Sequence, residues 1–275
     1  MTSRPQTHLI IGASRGIGLE FARQLLSFSP STFVIATYRS AAIPDILSKF
    51  SEEFKSRLTL LRCDINDEES IKALAVDVSK LITRDGWQGG VGLETVVVNA
   101  GVLEWPNGVL GSSNQSWHHH FQTNTFGPLL AANHLLSVSN PKISISTIVF
   151  ISSDSGSAGD FRSYEDKFAA YAASKAALNM GLRHLAAELH RERGSQAPVV
   201  LALHPGEVNT DMAKNTDVPW EVHGSIEVDE SIEGCLKVIR EKGKGGVDEG
   251  GKETVKGFEA GAATFWTWDG RNYPW

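Results

Sequence analysis

Tyr171 and Lys175 form a pair of side chains suited to acid–base chemistry. They lie four residues apart in YAASK (171–175), within an alanine-rich stretch that predicts a helix. Four residues correspond to about 400° of helical rotation, so the phenol and the ammonium share one face. An ordinary tyrosine has a pKa of about 10, and a nearby ammonium favours its phenolate, so the pair could exchange protons near neutral pH. Because YxxxK also occurs by chance on packed helices, the interpretation depends on neighbouring motifs.

Two polar motifs support this interpretation. Ser153 in ISSDSG follows the predicted fifth strand, and Asn99 in NAG follows the predicted fourth strand. In open parallel sheets, ligands bind at the carboxyl ends of the strands. We therefore expect Ser153 to lie near Tyr171 at one edge of the sheet, where a hydroxyl could stabilise developing charge.

A glycine-rich turn follows the first predicted strand. GASRGIG places Gly12, Gly16 and Gly18 between that strand and an amphipathic helix. Glycine lets a backbone approach a pyrophosphate closely, and a helix N-terminus offers free N–H groups and a positive dipole end. The motif predicts a phosphate cradle, although three glycines alone could also form an ordinary tight turn.

The end of the second predicted strand bears on the choice of dinucleotide. That strand ends in ATYRS, with Arg39 and no acidic residue before Asp45. An acid at this place selects the ribose 2′-hydroxyl of NAD, whereas an arginine accommodates the 2′-phosphate of NADP. The sequence therefore predicts NADPH/NADP+ as cofactor, with Arg39 and Arg15 forming a fork around the extra phosphate.

Alternating strands and helices are required to position these motifs. Continuous apolar runs predict strands that are covered on both faces, at 9–11, 33–37, 58–61, 95–98, 147–152, 198–203 and, less regularly, 263–268. The predicted helices between them include 18–27, 67–83, 116–138 and 167–191. This alternation predicts an α/β, Rossmann-type doubly wound fold with a mostly seven-stranded parallel sheet and helices on both faces. The length of 275 residues suits a single domain spanning 1–275.

Composition excludes several other classes of protein. Hydrophobic residues make up 41% and charged residues 21% of the chain, so it is neither disordered, collagen-like nor a coiled coil. The net charge of 26 − 32 = −6 indicates neither a nucleic-acid partner nor an anionic membrane. Cys63 and Cys235 are expected to be buried structural thiols in a reducing compartment. No stretch approaches the length of a membrane span, so we expect a soluble, cytoplasmic protein.

Taken together, the motifs resemble those of the short-chain dehydrogenase/reductase family over nearly the whole chain. The matching motifs are GASRGIG, CDI (63–65), VNAG (98–101), NTFGP (124–128), SSDSG (152–156), YAASK and HPGEVNT (204–210). The resemblance implies a catalytic tetrad of Asn124, Ser153, Tyr171 and Lys175, with Asp64 at the adenine. It also implies cofactor contacts across these motifs, from Gly12, Ser14, Arg15, Gly16, Ile17, Gly18, Arg39, Ile65, Asn99, Ala100, Gly101, Tyr171, Lys175, Pro205, Gly206, Val208 and Thr210. Of these, Pro205, Val208 and Thr210 would lie around the nicotinamide.

Within the family, the chain looks most like the C-factor and sniffer-type carbonyl reductases, through ATYR, HPGEVNTDM and WDGRNYPW (268–275). The resemblance implies NADPH-dependent reduction of a ketone or aldehyde, a small-molecule carbonyl substrate. Tyr171 would donate the proton, Ser153 would bind the carbonyl oxygen, Lys175 would lower the pKa of Tyr171 and bind the ribose, and Asn124 would hold a water. The alternatives are a tailoring ketoreductase for one secondary metabolite, or an NADPH-binding redox sensor without turnover. A homodimer or homotetramer is compatible with the helix at 167–191.

The chain departs from the family pattern between Ser153 and Tyr171. Their separation of 18 residues is longer than is usual in the family, and the extra GDFRSYED (159–166) is expected to loop over the mouth of the active site. Tyr164 in this segment has no lysine four residues later, since residue 168 is Phe, so it is not the catalytic tyrosine. Glu207 stands where relatives commonly have an apolar residue, which would make the substrate rim more polar.

Four further features have expected roles. Residues 210–224 are expected to form a substrate lid, with Met212, Val218 and Trp220 as apolar contacts. The charged, glycine-rich segment 240–256 is expected to form a mobile loop. Consecutive helical residues diverge by ~100°, so His118, His119 and His120 cannot converge on one ion, and no metal is expected. His204 is expected to make structural hydrogen bonds. Core packing is favoured for Trp266, Trp268 and Trp275 over a lid or partner surface.

Overall fold

The predicted apolar runs form one seven-stranded sheet in which every neighbouring pair of strands is parallel. The computed structural model describes residues 4–138, 143–214, 218, 224–246 and 260–275. The strands are β1 Gln6–Ile11, β2 Thr32–Tyr38, β3 Leu58–Arg62, β4 Leu93–Val98, β5 Ile145–Ile151, β6 Val199–His204 and β7 Thr264–Thr267. Their order is β3-β2-β1-β4-β5-β6-β7. The direction in which the order grows reverses between β1 and β4, and ligands bind at such a point in open sheets.

Helices cover both faces of the sheet. They are α1 Gly16–Phe28, α2 Asp45–Glu53, α3 Glu68–Thr83, α4 Asn114–Phe121, α5 Gly127–Ser137, α6 Ala169–Arg193, α7 Asp211–Lys214 and α8 Val228–Lys242. Leu9 and Ile11 pack into a core with α3, α5 and α6, whereas Ile10 packs into a second core with α1 and α8. Because successive strand residues point to opposite faces, a run that is apolar throughout fits two buried faces. The predicted doubly wound fold is confirmed.

Two predicted boundaries are wrong. The predicted helix at 116–138 is divided, because a π-helical turn, Gln122–Phe126, separates α4 from α5. The predicted mobile loop at 240–256 begins too early, since Arg240 and Lys242 belong to the last turn of α8. Lysine and arginine favour the carboxyl end of a helix, so their charge suits α8 as well as a loop. Residues 247–256 lie outside the described part of the chain.

The remaining expectations concern burial. Cys63 and Cys235 are both buried free thiols, as predicted, and burial raises the pKa of each thiol to about 12. Trp266 is buried in β7, and Trp268 and Trp275 pack partly buried against the two cores, as the core-packing interpretation requires. In the described residues, no helix combines the length and the apolar character that a membrane crossing requires.

Candidate active site

The glycine turn after β1 is held against the end of β4 by contacts that exclude side chains. Gly12 has a φ of +87°, which favours glycine, and an added Cβ would lie 2.9 Å from the backbone of Ala100. An added Cβ at Gly18 would lie 2.0 Å from the carbonyl oxygen of Gly12. Asn99 Nδ2 donates to that same oxygen over 2.7 Å. The turn is therefore pressed between β4 and α1, which leaves its outer backbone facing the cleft.

The N-terminus of α1 offers unused donors to this cleft. The helix begins at Gly16 after Arg15, which makes no side-chain cap, and its first turn contains no acidic residue. The first N–H groups of a helix have no partner within the helix, and the dipole there is positive. Such an end is suited to an anionic group such as a phosphate.

One cleft of about 510 Å³ runs along the carboxyl ends of the central strands. The predicted residues that line it are Gly12, Ser14, Arg15, Gly16, Ile17, Arg39, Ile65, Asn99, Ala100, Gly101, Tyr171, Lys175, Pro205, Gly206, Val208 and Thr210. Gly18, Asp64, Asn124 and Ser153 are not among the lining residues. Gly18 lies beneath the turn, and Asp64 closes the turn after β3 by accepting from the Asn66 N–H at 3.0 Å. Of the three predicted lid contacts, Met212 lines the cleft and Val218 does not, whereas Trp220 lies outside the described residues.

Both arginines expected at the cofactor phosphate are exposed at one end of the cleft. Arg15 lies in the glycine turn and Arg39 directly follows β2. The first acidic residue after β2 is Asp45, which begins α2. The end of the cleft next to β2 is thus bordered by two arginines.

Lys175 is buried beside Tyr171 on α6. Only 4% of Lys175 is exposed, and its Nζ donates to the Ile151 carbonyl at 2.9 Å and lies 5.9 Å from the centre of the Tyr171 ring. Removal of the ammonium from water lowers its pKa to about 8. The amine and the phenol therefore share a helical face, as the spacing predicts.

The net shift in the pKa of Tyr171 is opposite to the one expected. Burial raises the pKa of Tyr171 above its ordinary value although the residue keeps some exposure to the cleft. A hydrogen bond with Ser153 opposes this rise, while the negative charges of Asp154, Glu207 and Glu165 add to it. The physical reason is that the phenolate loses hydration and faces three carboxylates, while Lys175 points its ammonium at a backbone carbonyl.

Ser153 and Asn124 occupy the two sides of this pair. The Ser153 hydroxyl accepts from the Ser155 N–H at 3.3 Å and donates to Asp154 at 3.2 Å, in addition to its bond with Tyr171. Asn124 is fully buried in the π-helical turn, a feature often found at functional sites. Its side chain accepts from the Val102 N–H at 2.8 Å and donates to the Val102 carbonyl at 2.9 Å. Asn124 therefore ties the loop after β4 to the site.

A cluster of charged residues that sequence reasoning missed lies next to Ser153. We define the Arg162 cluster as Arg162, Asp154, Glu165, Glu207 and His204. Arg162 Nη1 lies 2.6 Å from Asp154, 3.0 Å from Glu165 and 3.3 Å from Glu207. These contacts place the extra segment 159–166 beside the cleft. The long spacing from Ser153 to Tyr171 was the available signal, but it does not reveal which residues Arg162 meets.

His204 accepts the Asp154 N–H at its Nδ1, over 3.3 Å, as its expected structural role requires. Its Nε2 then carries the proton and faces the Asp154 carboxylate at 3.3 Å. Burial lowers the pKa of His204, which favours this neutral form.

The Arg162 cluster has the donor types of a metal site. Ligand atoms of Asp154, His204 and Glu207 lie within 4.8 Å of one another. However, the guanidinium of Arg162 contacts the carboxylates of Asp154 and Glu207 and balances part of their charge.

The histidine triplet, His118 to His120, lies on α4. There, His120 Nδ1 donates to the Ser116 carbonyl at 2.8 Å and its Nε2 accepts from the Glu104 N–H at 3.2 Å. Both of its ring nitrogens are thus used within the protein.

Comparisons with known proteins agree on one family. A family model described as short chain dehydrogenase matches residues 6–219. An uncharacterized oxidoreductase of Schizosaccharomyces pombe is 29% identical over 254 residues, which cover 87% of this chain and 92% of that protein. A crystal structure of NADPH-bound carbonyl reductase from chicken fatty liver has a TM-score of 0.77 and 29% identity, covering 99% of this chain and 100% of the other. Carbonyl reductase Sniffer of Drosophila melanogaster shares the fold, with a TM-score of 0.75, 22% identity and coverage of 99% and 100%.

Proposed function

Because the chain belongs to the short-chain dehydrogenase/reductase family, we propose that it is an NADPH-dependent reductase that converts a ketone or aldehyde into an alcohol. The observation that carries the proposal is that the buried Lys175 amine lies 5.9 Å from the Tyr171 ring, and that both residues line the cleft that also contains the glycine turn. The Ser153 hydroxyl is near enough to lower the pKa of Tyr171. This arrangement brings a proton donor and a dinucleotide cradle into one site. The similarity to the NADPH-bound chicken carbonyl reductase supports the same assignment.

The cleft fits a phosphorylated dinucleotide. Gly12 and Gly18 provide a cradle that added Cβ atoms would disrupt, and the uncapped start of α1 offers N–H groups to a pyrophosphate. Arg15 and Arg39 supply positive charge where a ribose 2′-phosphate would lie. Pro205, Val208 and Thr210 would border the nicotinamide. When bound, NADPH supplies the hydride that reduces the carbonyl carbon.

Tyr171 is the proposed general acid. Because burial and nearby carboxylates raise the pKa of its hydroxyl, the phenol is protonated at neutral pH and can donate to a carbonyl oxygen. Ser153 would hydrogen-bond the same oxygen and stabilise the negative charge that develops on it.

Lys175 and Asn124 would support the reaction at the opposite side of the phenol. The Lys175 amine has a pKa of about 8, so it is mostly protonated at pH 7. In this form it would bind the nicotinamide ribose. Asn124 would maintain the shape of the site through its bonds to Val102 and would hold a water that resupplies the proton. Met212 would contact the substrate, a role that its position in the cleft supports.

The test is oxidation of NADPH in the presence of aldehydes, ketones, diketones and quinones, measured for the purified chain and for Tyr171→Phe. Loss of the proton donor should lower kcat/KM by about 10²-fold or more. Tyr164→Phe is the matched control, because this exposed tyrosine lies in the neighbouring segment without a lysine one turn later. Unchanged turnover in Tyr171→Phe would contradict the mechanism. NADPH binding without turnover of any carbonyl compound would instead favour a redox sensor. Turnover of a single ketone would favour a tailoring ketoreductase.

A further inference from the structure

We propose that the Arg162 cluster determines which substrate charge the cleft accepts, so that neutral and cationic carbonyl compounds are reduced in preference to carboxylates. The inference rests on the proposed function and specifies its substrate class. It assigns a specificity role to Arg162 and Glu207, whose side chains join the extra segment to the loop after β6.

The geometry of Arg162 leaves its charge committed to the protein. A single guanidinium nitrogen lies within 3.3 Å of carboxylates from three separate parts of the chain. Asp154 follows Ser153 at the end of β5, Glu165 lies in the extra segment, and Glu207 follows β6. The Arg162 side chain is 20% exposed. A substrate carboxylate would have to compete with three acids that are already in place.

The charges that surround the proposed proton donor sum to a negative value. Three negative charges come from Asp154, Glu165 and Glu207, and Arg162 contributes one positive charge. The neutral tautomer of His204 contributes none, and counting Lys175 as protonated still leaves −3 + 2 = −1. The cluster therefore presents net negative charge to any ligand beside Tyr171.

The cationic end of the cleft is too far away to reverse this field. Arg15 follows β1 and Arg39 follows β2, which lie two and three strands from β5 in the sheet. At a spacing of roughly 4.8 Å per strand, these separations are about 10 and 14 Å, beyond the screening length of about 8 Å in physiological salt. Glu207, in contrast, lines the cleft with 40% of its side chain exposed. This carboxylate acts electrostatically on Tyr171 and is open to a substrate group in the same cleft.

The experiment compares kcat/KM for three para-substituted benzaldehydes that carry a methyl, a carboxylate or a trimethylammonium group, with NADPH at pH 7 and low salt. The measured quantity is the ratio of the carboxylate to the trimethylammonium compound in each variant, divided by the same ratio in the wild type. This division removes the electronic effects of the substituents. The methyl compound reports general damage to the site.

Glu207→Gln removes one negative charge and should raise this ratio about fivefold, because the two compounds differ by two unit charges, each interacting with a carboxylate about 8 Å away through a nearly aqueous dielectric. Arg162→Gln removes the positive charge and should lower the ratio by a similar factor, whereas Arg162→Lys should keep it near the wild-type value. Glu52→Gln, at an exposed position on α2, is the control that should leave the ratio unchanged. High salt should reduce each shift.

Opposite shifts in Glu207→Gln and Arg162→Gln support the inference, because damage to folding or to the mouth would not change sign with the charge removed. Equal ratios in all variants, or shifts in the same direction, overturn it. If Arg162→Gln fails to fold, Glu207→Gln at its half-exposed position decides the question alone. Wild-type turnover with flat charge dependence refutes only this inference, while no turnover of any aldehyde, ketone or quinone refutes the proposed function and this inference with it.

Discussion

Replacing Lys175 with methionine is expected to stabilise the folded protein at pH 7 while removing most of its activity. Lys175 is 4% exposed, and burial lowers its pKa from an ordinary 10.5 to about 8. At pH 7 the folded protein therefore keeps a protonated amine in a site that disfavours the charge. A methionine has a similar length and no charge to bury.

The size of this effect follows from the pKa difference. The difference of 10.5 − 8 = 2.5 pKa units corresponds to roughly 3 kcal/mol at ~1.36 kcal/mol per unit. The substitution also removes the bond from Nζ to the Ile151 carbonyl, which offsets about 1 kcal/mol of the gain. We expect Lys175→Met to unfold with a free energy about 2 kcal/mol higher than the wild type at pH 7.

The difference between the two proteins should depend on pH. Between pH 8 and 10.5 the unfolded wild type keeps a proton on Lys175 that the folded protein loses, so the stability of the wild type rises with pH through this window. Methionine does not titrate, so the advantage of the variant should shrink across the same window. Cys63 and Cys235 also titrate at high pH, but their contributions are common to both proteins and cancel in the comparison.

Urea unfolding at pH 7.0 and 9.5, followed by tryptophan fluorescence, measures both quantities. Lys49→Met, at an exposed position on α2, is the control and should change the free energy of unfolding by less than about 0.5 kcal/mol. A less stable Lys175→Met protein at pH 7, or an advantage that is the same at both pH values, would refute the view that Lys175 is held as a buried cation. The activity assay on the same samples should show a loss of about 10²-fold or more in kcat/KM.

Two further predictions concern the dinucleotide site. Gly18→Ala places a Cβ 2.0 Å from the Gly12 carbonyl oxygen, so the turn must open. We expect the free energy of unfolding to fall by about 1–3 kcal/mol and the KM for NADPH to rise. Wild-type values for both quantities would show that the turn is not tightly packed. Arg39→Asp replaces a cation with an anion at the end of β2 and should shift the ratio of kcat/KM from NADPH toward NADH by about tenfold or more. Arg191→Asp, at an exposed position on α6, should leave that ratio unchanged, and a wild-type preference for NADH would contradict the cofactor assignment.

Local patterns were sufficient for the sheet and for the glycine turn. A run such as FVIAT (33–37) is apolar at every position, so it predicts a strand that is buried on both faces, and β2 at Thr32–Tyr38 confirms it. The helical position of Tyr171 and Lys175 likewise depends only on a spacing of four residues. The predicted helix at 116–138 failed because a π-helical turn is inserted at Gln122–Phe126, and the packing of Asn124 against Val102 and Ser174 accompanies it.

The electrostatics of the site depend on contacts between residues that are far apart in the chain. Sequence spacing predicted that the phenol and the ammonium share a face, but the pKa of Tyr171 is set by burial and by Asp154, Glu165 and Glu207. Arg162 contacts Glu207 across 45 residues of chain. Hydrophobic periodicity and residue spacing are local properties of the chain, so the sequence itself determined the strands, the helical pair and the glycine turn. Desolvation and charge pairing depend on which surfaces the folded chain brings together, so only the tertiary structure decided the charge of the site.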